Sequence, residues 1–320
     1  QLSYSYVQPL ADPGIWKMLP QLLLEKDSPL ALRLRADPAQ WAWGLRFLGA
    51  CNARASMAGT QALLRLAAES RQAFESLQAR ESLSCALHTP GKLVLYQTQQ
   101  GLDAAARQVA LQSRLGGASQ QVVDATAAVR LEPALAGYAG RMAGAVHTPS
   151  ESAADCRQLC EQLAALLTAR GAELRYDTEV LGFERQGDAV TGLRTAAGLL
   201  QAEHYVLASG WESPAHARQL GLRIPVYPLK GYSITVDIPS DHTHVAPRVS
   251  VTDTARKVVF ARLGERLRVA GMVEIIGRDT RIDPARIDSL RRSTQQVFAQ
   301  LPLQGSLHPW SGMRPATPTG

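Results

Sequence analysis

Apolar residues recur at helical spacing through the first quarter of the chain and at strand spacing through much of the rest. Trp16, Leu19, Leu22 and Leu23 open the helical pattern. Asp37-Pro38 marks a helix start, an Asp that caps the turn and a Pro pre-set for its first position. Behind it Trp41, Leu45 and Leu48 repeat along one face, and Leu63, Leu66, Phe74 and Leu77 continue a second helix. From Gly91 the period changes. Leu93, Val94, Leu95 and Tyr96 predict a strand over 92–98, followed by a helix over 99–114 that stops at Gly116-Gly117. Asp124 caps a short helix that Pro133 ends, and residues 140–147 predict a strand. Leu159, Leu163, Leu166 and Leu167 give the clearest helical face, over 151–170, with Gly171 as its left-handed stop.

A β-meander follows. Leu174 and Tyr176 alternate in its first strand, and strands over 178–185 and 189–195 flank the Gly187-Asp188 turn. Residues 204–209 predict a buried strand ending at Gly210. Ser213 then caps a helix with Pro214 at its first position and Gly221 at its close. Residues 226–238 predict a long strand, with Pro225, Pro228 and Gly231 pointing to an edge or a kink. Residues 258–262 and 267–272 pair as a hairpin around Gly264-Glu265. Asp283-Pro284 opens a helix with Ile287, Leu290, Val297, Phe298 and Leu301 inward, and the chain returns as a strand through Met313. This order predicts a mixed α/β (α+β) fold of two interleaved units rather than one doubly wound sheet. The expected division is 1–85, 148–222 and 307–320 in one unit, and 86–147 and 223–306 in the other.

Composition narrows the class. The 320 residues are 46% hydrophobic and 19% charged, ordinary for a globular protein, and the net charge is +6. No apolar run approaches the ~18 residues of a membrane span, and no signal-peptide pattern is visible. Basic residues are scattered without interleaved aromatics, which argues against nucleic acid as a partner. Cys51, Cys85, Cys156 and Cys160 are too few for a disulfide framework, so a reduced, cytoplasmic protein with structural thiols is expected. Cys156 and Cys160 share a helix face, but no His or Cys pair completes a metal site. The tryptophans read either as core aromatics, the favoured reading, or as a belt at a membrane interface.

Two features carry chemistry. Ala208-Ser209-Gly210, at a strand end, is small enough for backbone to approach a ligand closely. Arg314 offers a fork for a carboxylate that stays charged at any working pH. There is no P-loop, zinc signature, nucleophile elbow or HExxH motif, and the seven histidines form no metal spacing.

Several segments together resemble the FAD-dependent D-amino acid dehydrogenases, within the wider D-amino acid oxidase, glycine oxidase and sarcosine oxidase group. They include Gln1-Leu2-Ser3-Tyr4-Ser5-Tyr6, Asp37-Pro38-Ala39-Gln40-Trp41, Thr148-Pro149-Ser150-Glu151-Ser152, Tyr205 through Gly210, Pro225 through Ser233 and Gly312-Met313-Arg314-Pro315. The resemblance implies an FAD-binding, Rossmann-like unit interleaved with an antiparallel or mixed-sheet substrate unit. It implies FAD as cofactor and oxidative deamination of a D-amino acid by hydride transfer from Cα. It places the backbone of Gln1 and Leu2 at the flavin ring, Val180 near the adenine, and Ala208, Ser209 and Gly210 near the ribose and pyrophosphate. It places Arg314 on the substrate carboxylate, and Tyr232 and Met272 on pocket-facing strands. No catalytic acid or base is demanded. It further implies a membrane quinone as candidate acceptor and a peripheral contact with the inner face of the cytoplasmic membrane.

Two departures stand out. Ala154 replaces the family's Gly before the Asp-Cys pair. The family's glycine-rich nucleotide loop would precede Gln1 and its closing flavin segment would follow Gly320, so the 320 residues alone are not expected to retain FAD. A glycine, sarcosine or opine oxidase, and a non-catalytic fragment, are the alternative readings.

Overall fold

The computed structural model describes residues 2–5, 7, 9–16, 30–303 and 307–319. Strand β1 (Leu30–Leu32) precedes α1 (Pro38–Ala50), whose start is fixed by the Ala39 N–H donating to Asp37 Oδ1 at 2.9 Å. Asn52 caps α2 (Ala53–Glu81), which ends at Ser82 in the left-handed region (φ 49°). Then come β2 (Lys92–Tyr96), α3 (Gln99–Arg114), β3 (Gln121–Asp124), α4 (Ala125–Leu131), a 3-10 turn at Pro133–Arg141 and β4 (Gly144–Thr148). Helix α5 (Cys156–Ala169) leads to β5 (Val180–Gln186), β6 (Ala189–Thr195) and β7 (Gly198–Leu200), a small separate sheet. A 3-10 turn, Gly210–Glu212, enters α6 (Ser213–Gln219). The remainder is β8 (Tyr227–Asp237), β9 (Ser250–Asp253), β10 (Val258–Leu263), β11 (Arg266–Ile275), α7 (Pro284–Val297) and β12 (Leu307–Ala316).

The main sheet runs β12-β8-β11-β10-β9-β2-β4-β3, with β1 parallel to β11. Strands β2 and β8, far apart in sequence, therefore share one sheet. β8 is interior, so of the edge or kink that Pro225, Pro228 and Gly231 suggest, the edge does not hold. Pro228 lies opposite Pro315 near the end of the ladder, where a lost N–H interrupts little pairing, and Gly231 faces Gly312. The last segment, expected to rejoin the other unit, pairs along the length of β8 as β12.

The two faces of this sheet differ. On one, Leu93, Leu95, Ile234, Val236, Phe260 and Leu267 form the main core with Leu290, Val297 and Phe298. Phe260 and Phe298 meet edge-on at 5.1 Å. On the other, Tyr227 and Leu229 pack against Trp43 and Phe47 at one end, and Val94 and Val146 against Ala105 at the other. Between those two patches the face carries Ser233, Thr235, Ser250 and Thr252 together with Ala270 and Val259.

Several expectations change. Residues 204–209 form no strand, and Val206 is 90% exposed. An apolar run becomes a buried strand only when strands flank it, and none does among the described residues. Leu174 and Tyr176 lie in no strand. No residue of α5 is fully buried: Leu159, Leu163 and Leu166 are half-buried and Leu167 is exposed, and Cys156 and Cys160 are exposed while Cys51 and Cys85 are buried. On α1 the inward face is Gln40, Trp43 and Phe47, leaving Trp41 and Leu45 in solvent. Residues Leu19, Leu22 and Leu23 lie outside the described residues.

Phe298→Ala would leave a cavity against Phe260 that the sheet cannot close. We expect it to destabilise the fold by about 3–5 kcal/mol in urea denaturation.

Candidate active site

The register aligns Trp310, Ser233, Ala270, Val259, Thr252 and Val94 in one row across six strands, all on the polar face. The middle of the row is small, so the face forms a trough. Arg268 and Thr235 occupy the next row, and Lys92 faces Ser250. The hydroxyls of Ser233, Ser250 and Thr252 are buried without a hydrogen-bond partner. Leaving such groups unpaired costs about 1–3 kcal/mol each, so three on one face mark a surface suited to a polar ligand.

At the β2 end, Lys92 Nζ donates to Ser3 Oγ at 2.8 Å. Burial pushes the Lys92 ammonium down to about 8, and the Glu151 carboxylate opposes that shift. Glu151 Oε1 accepts the Ser5 N–H at 2.8 Å, while Leu2 and Ser152 exchange backbone hydrogen bonds. These contacts pin the first residues to the sheet. They also engage the Leu2 amide with Ser152, so Leu2 has its side chain, not its N–H, to offer a ring. Gln1 lies outside the described residues.

At the other end, β12 brings Gly312 opposite Gly231 and Arg314 opposite Leu229. Arg314 is exposed and has no hydrogen-bond or ion-pair partner among the described residues. The Trp310 indole folds over Gly312, its nearest atom 2.1 Å from where a Cβ would stand. The Arg268 guanidinium sits 5.4 Å from that ring and donates to Thr235 Oγ1 at 2.9 Å. Burial pulls Arg268 below its ordinary value.

Tyr232 and Met272 fall elsewhere. β8 alternates, so Tyr232 points to the apolar side, opposite Arg314. There Tyr232 donates to Glu274 Oε2 at 2.7 Å, and Arg286 donates to Glu274 Oε1 at 2.9 Å. Met272 sits at a β-bulge with φ 66°, and its buried side chain joins the same core. What it presents to the trough is its carbonyl, 3.6 Å from a Cβ placed on Gly231.

The structure does gather other candidates. The Gly210–Glu212 turn packs beside β12. Gly210 has φ 56°, Ser209 Oγ lies 3.3 Å from Ser213 Oγ, and Ala208 is exposed. Val180 opens β5 opposite Thr195, and α6 packs on that strand. The segment after β11 ties these parts together: Arg278 lies 5.8 Å over the Trp211 ring, Ser311 donates to the Thr280 carbonyl, and Lys230 donates to the Arg281 carbonyl. Leu2 is remote from this group. Five strand steps separate β12 from β2, about 24 Å along the sheet. Trp310, Arg268, Ser233, Thr252 and Lys92 were not expected in a site. Their one signal was the polar phase of Ser233 and Thr235 between Ile234 and Val236.

Residues 23–320 match the family described as FAD dependent oxidoreductase. The whole chain is 42% identical to D-amino acid dehydrogenase 2 of Ralstonia nicotianae, covering 77% of that protein. It is 42% identical to D-amino acid dehydrogenase 2 of Pseudomonas aeruginosa, covering 75%. Glycine oxidase from Geobacillus kaustophilus superposes over 80% of this chain and 68% of its own, with a TM-score of 0.69 and 25% identity.

Lys92 gives a pH signature. Below pH 8 both native and unfolded chains hold its proton, and the burial penalty is fully present. Between about 8 and 10.5 the unfolded chain alone keeps it, so native stability rises with pH. Lys92→Met should therefore be favoured over the parent near pH 7.5. That advantage should shrink by up to about 3 kcal/mol by pH 10.5, in denaturation curves at both values.

Proposed function

Because the chain belongs to the FAD dependent oxidoreductase family, we propose that it oxidises D-amino acids to 2-imino acids, which water hydrolyses to 2-oxo acids and ammonia. The structural observation that carries this reading is Arg314, a guanidinium at the end of a polar trough with no partner among the described residues. The likeness to D-amino acid dehydrogenases along the full chain supports it. The residues present fit the cofactor: three unpartnered buried hydroxyls line the trough, and the backbone at Ala208–Gly210 is open to a ligand.

When bound, FAD supplies the hydride acceptor. Leu2, Val180, Ala208, Ser209 and Gly210 would hold it, with Ser250, Thr252 and Lys92 on the sheet side. Arg314 grips the substrate carboxylate with two parallel N–H donors, which fixes the direction of the Cα–H bond. Gly231 keeps a side chain out of the space across the ladder from that grip, while the Trp310 indole covers Gly312. The Ser233 hydroxyl is free to accept from, or donate to, a polar substrate atom. The amine must be neutral for the Cα–H to leave as hydride, and no side chain among the described residues is placed to take its proton, so deprotonated substrate is what binds productively.

For the acceptor we propose a quinone reached at a membrane surface. No helix among the described residues is long and apolar enough to cross a membrane. Exposed Trp41, Leu45 and Arg46 on α1, with Leu34 between Arg33 and Arg35, form an apolar patch with a basic rim. Co-sedimentation with phosphatidylglycerol vesicles is expected, and the double change Trp41→Ala, Leu45→Ala should abolish it.

Arg314→Leu tests the central reading. With the substrate carboxylate left unpaired, kcat/KM should fall by roughly 2–5 kcal/mol while the flavin spectrum persists. Arg314→Lys should recover part, since an ammonium lacks the fork. Near-normal turnover of D-amino acids by Arg314→Leu would remove Arg314 from the site.

A further inference from the structure

We propose that Trp310 selects the substrate side chain, giving the site a preference for D-amino acids with aromatic or bulky apolar side chains. The inference rests on reading Arg314 as the carboxylate clamp. Positions 310, 312 and 314 of β12 share one face, each about 6.6 Å from the next. Three atoms of the indole lie 2.1, 2.7 and 2.8 Å from the place a Gly312 Cβ would take, so the ring fills the side-chain position next to Arg314. It does so while remaining 55% exposed.

An indole held half in water is an apolar wall awaiting cover. Arg268 steadies it from 5.4 Å and is itself tied to Thr235. Across the ladder, Gly231 has nothing but the Met272 carbonyl within 4 Å, so the space beside the wall is open. The Ser233 hydroxyl, buried and unpartnered, shares Trp310's row. A fork for a carboxylate, an open glycine and an exposed indole in sequence describe a molecule charged at one end and flat and apolar at the other. A small substrate would use the fork and leave the ring uncovered.

The test compares D-phenylalanine with D-alanine in steady-state oxidation by the FAD-loaded enzyme, using an artificial acceptor. Benzoate, an aromatic carboxylate that is not oxidised, is titrated by calorimetry alongside. In Trp310→Ala the ratio of kcat/KM for D-phenylalanine over D-alanine should fall roughly tenfold or more, chiefly through KM. Trp310→Phe should keep most of the ratio. Gly312→Ala, whose Cβ evicts the indole without deleting it, should fall as Trp310→Ala does. Benzoate affinity should weaken in step. An unchanged ratio in Trp310→Ala and Gly312→Ala would overturn the proposal. If the parent oxidises neither amino acid, the dehydrogenase reading fails by itself, and the benzoate titration still decides whether Trp310 is the wall: weaker binding by Trp310→Ala supports it, and equal binding refutes it.

Discussion

Strand β8 must face two chemistries at once, and the rest of the molecule is arranged around that constraint. Tyr232, Ile234 and Val236 point into the apolar core, while Gly231, Ser233 and Thr235 point the other way. A slip of one residue against β11 or β12 would send hydroxyls into the core and aliphatic groups into the trough. The register is held from the apolar side, where Ile234 and Val236 are sealed under α7 and the Tyr232–Glu274–Arg286 chain of hydrogen bonds spans β8, β11 and α7. The bulge at Met272 belongs to the same device. One extra residue on β11 returns Glu274 to the face of Tyr232 and Lys230, where its charge finds partners.

Buried polarity is handled in two opposite ways on the two faces. On the core side each buried charge has a partner: Glu274 with Arg286, and Asp253 with Arg256, Tyr138 and Gln97. Such groups are tolerated because the geometry satisfies them, and removing one member would strand another. On the trough side, Ser233, Ser250 and Thr252 are left with hydrogen-bonding capacity unused. A folded chain gains nothing from that arrangement by itself. It gains when a ligand supplies the missing partners, which is why this face, and not the more elaborate network behind it, reads as the working surface.

Much of this was legible beforehand, and the misses share a cause. The helix at 99–114, the hairpin of β10 and β11, and the inward residues of α7 were readable because each is a local pattern. Trp41 and Trp43 on α1 begin equivalent i, i+4 pairs, and periodicity cannot say which of them turns inward. Tyr227, far along the chain, decides by packing on Trp43 at 6.1 Å. The run at 204–209 had a strand's composition without a strand's neighbours. Tyr232 stood on the expected strand, yet its face depended on which side α7 would cover. Arg314 stood out as a fork for a carboxylate, and the resemblance alone assigned that carboxylate to the substrate. Trp310 escaped because no sequence pattern records a ring folding back over a glycine two residues on.

One element stands apart from this two-faced plate. Helix α2 runs for 29 residues, about 43 Å, and Thr60 is its one buried residue. Its amide hydrogen bonds are closed by its own turns, and among the described residues its apolar face, Leu63, Leu64, Phe74 and Leu77, is only half-buried. Opening a few turns of α2 exposes little apolar surface, whereas opening β8 would breach the core. The helix is thus a separate, low-energy unit of local unfolding, and its amides should exchange with deuterium long before those of the sheet.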